Sequence, residues 1–237
     1  RGRAQTLLPD SVPVAVELGR VLVDLGAWAG AEAQGERILS REPRSADGTY
    51  ISAATLLGQR RLEEALAVLE AASGSGVALT PELQSVRAEV LVLQGKPQEA
   101  EQVYRAVIAS NPKDGRSLAG LAGIMLGRGK AEEAAGLYTN ARAERPADPR
   151  IRVGLALAKD RMGKRDEAIR ELEGIEGRAR TVPVMLALGE LYLKANRAGE
   201  ASAVLAPLVQ RAPQFARARY LLGSAYLAGN RPDHRAG

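Results

Sequence analysis

Apolar and small residues return along this chain at helical spacing. Within 115–148, Leu118, Leu121, Ala122 and Met125 recur at three and four residues, which makes one apolar stripe on a helix. Gly127 and Gly129 break that stripe, and Glu132 to Ala143 form a second helix carrying Ala134, Leu137, Tyr138 and Ala141. Each such helix, roughly 13 residues long, spans about 20 Å. The pairing repeats at a fixed period. Ala31, Ala65, Ala100, Ala134, Ala168 and Ala201 are 34, 35, 34, 34 and 33 residues apart, and the last five each follow a glutamate. A chain that returns to one pattern at this period is a stack of supersecondary units, not a globule around one core.

Other residues keep the same phase. Pro9 and Pro43 are 34 apart, as are Pro112 and Pro146, and Pro213 follows 67 later. Leu188-Gly189 with Tyr192 returns as Leu222-Gly223 with Tyr226, and Leu18-Gly19 with Leu22 stands at the matching place near the start. Gly19, Ala53, Ala88, Ala122, Ala156, Gly189 and Gly223 put a small residue beside each helix crossing, so paired helices can approach closely. Gly26, Gly95, Gly129, Gly163, Asn196 and Asn230 share the phase where the first helix ends and a left-handed residue is expected. Arg60 breaks that row, which predicts a different turn there. Helix starts are signalled by Thr80-Pro81, Asp114 and Asp148-Pro149.

This Leu-Gly-x-x-Tyr, Ala and Pro skeleton resembles the tetratricopeptide repeat, a 34-residue helix–turn–helix unit. The resemblance covers nearly the whole chain and implies an all-α fold, a right-handed α-solenoid. It divides the chain into a single solenoid of repeats 12–45, 46–80, 81–114, 115–148, 149–181 and 182–215. Residues 1–11 end a preceding repeat, and 216–237 begin an incomplete one. The large aromatic that the strict motif places four residues into the first helix is missing. Repeat 46–80 ends in Ser73-Gly74-Ser75-Gly76 and repeat 149–181 in a stretch with Gly174 and Gly177, both without the closing proline. These junctions are the expected places for bending. Both chain ends fall inside a repeat, so the sequence reads as an internal piece of a longer array.

Composition narrows the chemistry. With no cysteine, disulfides, thiolate zinc sites and cysteine nucleophiles drop out. No stretch approaches 18 uninterrupted apolar residues, so no membrane span is expected. The net charge of +5 comes from 33 basic residues interleaved with 28 acidic ones, as in Arg165-Asp166-Glu167, and such alternation reads as a solvated helix face. Arrays that read RNA base by base need a phased polar pair, which does not recur here, so nucleic acid is not an expected partner. Arginine (27) far outnumbers lysine (6), as in a protein from a GC-rich bacterial genome.

An active site is not expected. The single histidine, His234, stands three residues from the end, where no rigid base can be held. Carboxylate neighbours such as Glu63-Glu64 and Glu132-Glu133 sit at helix starts, where they complement the dipole. No metal-ligand spacing appears, and no cofactor is implied.

The resemblance implies that the first helix of each repeat lines a concave groove that takes a peptide, a helix or a folded domain. Helical periodicity then selects the groove positions opposite the packed stripe. They are Glu17, Arg20 and Asp24; Asp47, Tyr50 and Ala54; Glu82, Ser85 and Glu89; Arg116, Ala119 and Gly123; Arg150, Val153 and Leu157; Leu186 and Glu190; and Arg217, Tyr220 and Ser224. Tyr50 and Tyr220 are rigid amphipathic groups of the kind enriched at hot spots. Ala119, Gly120, Gly123, Val153 and Gly154 are small, and either leave space for a partner's side chains or serve close packing. The lysine–asparagine set with which co-chaperone domains clamp a terminal carboxylate is missing: Val16, Arg20, Ile51, Arg116 and Gly120 stand there.

Taken together these features point to a non-catalytic scaffold that binds another protein. The class often serves bacterial envelope machinery, including exopolysaccharide (biofilm) modification and export, and the expected compartment is the periplasm or cell envelope. The alternatives are a groove that guides a polysaccharide directly and a cytoplasmic adaptor. Self-association through uncapped ends is a third route.

Overall fold

The computed structural model describes residues 11–230, apart from the side chain of Arg178. Pro9, His234 and the segments 1–10 and 231–237 lie outside the described residues. Among the described residues the chain forms thirteen α-helices and no strand. They are α1 (Val12–Leu25), α2 (Trp28–Arg41), α3 (Ala46–Gly58), α4 (Leu62–Gly74), α5 (Pro81–Leu93), α6 (Pro97–Ser110), α7 (Gly115–Gly127), α8 (Ala131–Glu144), α9 (Pro149–Arg161), α10 (Arg165–Glu173), α11 (Val182–Lys194), α12 (Ala198–Arg211) and α13 (Ala216–Gly229). A 3₁₀ turn, Gly177–Ala179, follows α10. None of these helices is long and apolar enough to cross a membrane.

Local chemistry explains where the helices begin. Thr80 Oγ1 accepts from the Leu83 amide at 3.4 Å, Asp114 Oδ1 from Ser117 at 2.7 Å and Asp148 Oδ1 from Arg150 at 3.0 Å. Ser45 caps α3 in the same way, taking the Gly48 amide at 3.2 Å. Second helices are started differently. From α4 onward their caps carry basic side chains with no cap hydrogen bond, and the recurring glutamate stands three residues on, whereas α2 has Ala27 at its cap. Arg61 binds Glu64 at 2.6 Å, Lys130 binds Glu133 at 3.3 Å and Arg197 binds Glu200 at 2.8 Å. In these three helices the glutamate therefore meets both the positive end of the helix dipole and a fixed cation.

The phased alanine of each second helix is always inside. Ala31, Ala65, Ala100, Ala134, Ala168 and Ala201 are each 0% exposed, so nothing larger fits where the helix axes come together. Gly19 and Gly189 work alike: a Cβ there would sit 2.7 Å from Ile51 Cδ1 and 2.8 Å from Leu205 Cδ2. Gly223 differs, being exposed on α13 with nothing among the described residues within 4 Å of a Cβ placed there.

The inter-helix turns keep one conformation. Gly26, Gly95, Gly129, Gly163 and Asn196 all have positive φ, between 58° and 79°. Two expectations are corrected here. Arg60 adopts the same left-handed conformation, with φ of 65°, although a Cβ-bearing residue there costs about 1–2 kcal/mol. Packing on both sides imposes the turn, whatever residue occupies it. Asn230 lies at φ −93° and does not continue the row.

Contacts group the residues into two units, one ending at Gly120 and the other beginning at Leu121, so α7 contributes to both. Within the first unit α1, α3 and α5 each pack on their own second helix and on one another in turn. Within the second unit α9 and α11 each pack on their own second helix, α9, α11 and α13 pack on one another in turn, and α8 and α12 pack on α9 and α13 respectively. The core of each unit is a series of clusters rather than one centre. In the first, Ala15, Ala31, Ile38 and Ile51 make one cluster and Ala53, Leu69, Leu83 and Val86 belong to the next. The two junctions without proline are held by buried side chains, Val77 (7% exposed) after α4 and Ile175 (2% exposed) after the nine-residue α10.

Candidate partner-binding face

In the first unit the helices α1, α3, α5 and the start of α7 present a connected row of polar side chains. Arg20 on α1 donates through Nη2 to Asp47 Oδ1 on α3 at 2.7 Å and to Glu82 Oε2 on α5 at 3.0 Å. Its guanidinium also lies 4.9 Å from the centroid of the Tyr50 ring. Arg116 on α7 reaches back to Tyr50, donating to its hydroxyl at 3.1 Å, and forks onto the Glu89 carboxylate. Four helices are joined in this way through two arginines and one tyrosine.

Electrostatics keep the row charged. The hydrogen bond to Glu82 is the largest influence on Arg20 and raises its pKa above the ordinary arginine value, against the pull of burial. Burial acts most strongly on Arg116 and would lower its pKa, but attraction and hydrogen bonding to Glu89 more than offset it. Glu17 and Asp24 flank the row, exposed and without an ion pair among the described residues. Not every sequence-selected position reaches the surface. Ser85 is 0% exposed, its hydroxyl 2.7 Å from that of Ser117, and so fastens α5 to α7. Ala54, at 3%, is likewise core.

Small residues divide into two kinds. A Cβ on Gly120 would come within 2.2 Å of Tyr104 Cζ, and one on Gly154 within 2.2 Å of Tyr138 Cζ. Those glycines are seats for aromatic rings of the second helices, and no partner side chain can enter there. Gly123 is exposed, and a Cβ there would meet only the Tyr138 hydroxyl, at 3.5 Å. Ala119 and Val153 are half-buried.

The second unit shows a barer face. Val153 and Leu157 on α9 are half-buried, and Leu186 on α11, at 8% exposed, belongs to the core instead. Glu190 on α11 accepts from Arg217 Nε on α13 at 3.1 Å. Tyr220 projects with 74% of its surface exposed. Arg150 folds back onto its own cap, Asp148, at 2.8 Å. Among the described residues no group of three or more His, Cys, Asp or Glu side chains could hold a metal ion.

Two tetratricopeptide-repeat profiles match the sequence, one over 16–78, 85–149 and 186–233 and the other over 125–188. The chain belongs to the tetratricopeptide-repeat family. No curated protein matches it in sequence. Solved structures share its fold. The anaphase-promoting-complex assembly Cut9–Hcn1 is 16% identical with a TM-score of 0.79, over 94% of this chain and 44% of that one. This chain thus spans less than half the length of that relative. PilW, described as a type IV pilus biogenesis factor, is 15% identical with a TM-score of 0.65, over 89% and 98%. The pilF protein of Pseudomonas aeruginosa is 16% identical with a TM-score of 0.60, over 94% and 99%.

This tetratricopeptide-repeat chain also carries a charge spacing that its phased alanines and prolines do not mark. Arg20 and Asp47, Glu89 and Arg116, and Glu190 and Arg217 are all opposite charges 27 residues apart, and all three pairs join neighbouring first helices. That offset is one repeat less two helical turns. Opposite charges at this offset are the sequence signal for such a tie.

Proposed function

We propose that the chain is a non-catalytic scaffold that binds a protein partner on the faces of its first helices. In the first unit the contact surface is the row Arg20, Tyr50, Glu89 and Arg116 with Glu17 beside it. In the second it is Gly123, Val153, Leu157, Glu190, Arg217 and Tyr220. The observation that carries this reading is the connected row across α1, α3, α5 and α7. Long side chains already held by hydrogen bonds lose little further freedom when a partner arrives, which favours binding by preorganisation.

A protein partner fits better than a glycan. A sugar usually stacks between open aromatic rings; Arg20 and Arg116 occupy the surroundings of Tyr50, which leaves Tyr220 as the one open ring among the first-helix positions named. The proposal extends to a bacterial envelope setting, in which the partner would be an enzyme acting on exopolysaccharide and held near its export channel. A cysteine-free sequence suits an oxidising compartment.

The test compares protein partners retained by the immobilised chain from an extract of its source cell. Tyr220→Ala and Glu17→Arg should lose a partner that the wild type keeps, with helical content and melting temperature unchanged. A Gln102→Ala control on α6 should keep it. Retention by both first-helix variants, or binding of oligosaccharide by the purified chain with no protein present, would overturn the reading.

A further inference from the structure

A cleft in the second unit, about 780 Å³ in volume, opens between α8, α9 and α10. Four cationic side chains line it, Arg142 from α8, Arg152 and Lys159 from α9, and Arg170 from α10, against the two carboxylates Glu167 and Glu171. The cleft uses none of the residues of the first-helix faces.

Its chemistry is already set for carboxylate. Glu171 is only 8% exposed, and its two oxygens accept from Arg142 Nη1 at 3.0 and 2.8 Å. Arg152 Nε adds a third bond at 3.0 Å, and its other nitrogens donate to the backbone carbonyls of Glu171 and Gly174. Each of the three nitrogens of Arg152 is thereby engaged. The other cations keep spare donors. Arg142 engages Glu171 through Nη1 alone, while Lys159 Nζ stands 3.5 Å from Glu171 and 3.8 Å from Glu167. Arg170 is exposed and makes no ion pair among the described residues. The cleft therefore has two more positive than negative groups and several N–H donors in want of acceptors. The wider surroundings share this sign. Residues 121–237 carry 20 basic and 13 acidic side chains, whereas 1–120 carry 13 and 15.

We propose that this cleft is a second docking site, which takes an acidic peptide segment of a protein partner. One incoming carboxylate takes the free edge of Arg142, and a second is shared by Lys159 and Arg170. Glu171 holds Arg142 and Arg152 in place beforehand, so the incoming group meets a fixed guanidinium fork. A volume of this order accommodates a few side chains. None of the lining side chains named is aromatic, so a nucleic acid base would find nothing to stack upon.

The probe is a fluorescently labelled hexaglutamate peptide, titrated with the full chain and followed by anisotropy at low and raised salt. The wild type should bind, more weakly as salt rises. Arg170→Glu and Lys159→Gln should each weaken binding about tenfold or more, the loss expected for one charge-assisted contact. Arg211→Glu on α12, with the same change of net charge as Arg170→Glu, should leave the affinity unchanged, as should Tyr220→Ala on the first-helix face. Equal weakening by Arg211→Glu would show diffuse attraction and overturn the site. So would failure of the peptide to bind at low salt. Displacement of the peptide by an oligonucleotide of equal charge at lower concentration would overturn its assignment to acidic protein.

Discussion

Glycine at 154 and glycine at 136 look alike in sequence, since each stands within a helix where alanine would be the better former. The structure separates them. The missing Cβ of Gly154 makes room for the Tyr138 ring, whereas nothing lies within 4 Å of a Cβ placed on Gly136. Gly154→Ala should therefore destabilise by about 1–3 kcal/mol through overpacking. Gly136→Ala should stabilise by up to about 1 kcal/mol, because only helix propensity changes. Thermal and urea melts of the two variants check the opposite signs. The phased alanines were legible because close helix contact excludes any larger side chain at one height in every repeat. The role of Gly154 was not, because it depends on which ring a neighbouring helix supplies. Arg60 was misread for a related reason: the turn is imposed by the helices it joins, and a glycine is convenient there without being required.

Among the elements, α9, α10 and α11 are tied by buried acids. Asp160, 8% exposed, accepts from Arg165 at 2.7 Å and from Lys194 at 2.6 Å, linking the end of α9 to the start of α10 and the end of α11. Glu171 binds α10 to α8 and α9. Burial works against both charges, yet hydrogen bonds from Lys194 and Arg165, and from Arg142 and Arg152, hold each carboxyl below its ordinary value. Lowered folded-state values mean that this stabilisation is present above the unfolded carboxylate range, about 4, and is lost as pH falls through the folded one. Glu171→Gln should therefore melt well below the wild type at neutral pH, with the gap closing below about pH 4. Melting curves by circular dichroism across that range give the answer, and a gap independent of pH would assign the loss to packing. Charge alternation such as Arg165-Asp166-Glu167 read correctly as solvated for Asp166, which is exposed. Its neighbour Arg165 is a tertiary link, donating to Asp160 and, 29 positions on, to the Lys194 carbonyl at 3.1 Å, because residues about one repeat apart meet when repeats stack.

At the scale of the molecule, periodicity carried the fold class and the family, since every unit repeats the same packing problem and the same small residues solve it. The partner is a different matter. A surface that recognises something outside the chain leaves no internal pattern, and the sequence could mark only the positions that packing does not consume. Of those positions, Ser85, Ala54 and Leu186 proved to be core, while the arginine–carboxylate row across α1, α3, α5 and α7 is what turned free positions into an ordered surface. The central claim is that this ordered face, and not the second-helix side away from the basic cleft, meets a protein. Site-specific photo-crosslinking in the source cell measures that directly, with the reactive side chain placed at Glu17, Glu82 or Tyr220 on first helices, or at Gln102 or Ala203 on second helices. The account predicts covalent adducts to one protein partner from the first set and none from the second; adducts from Gln102 or Ala203 with none from Glu17, Glu82 and Tyr220 would contradict it.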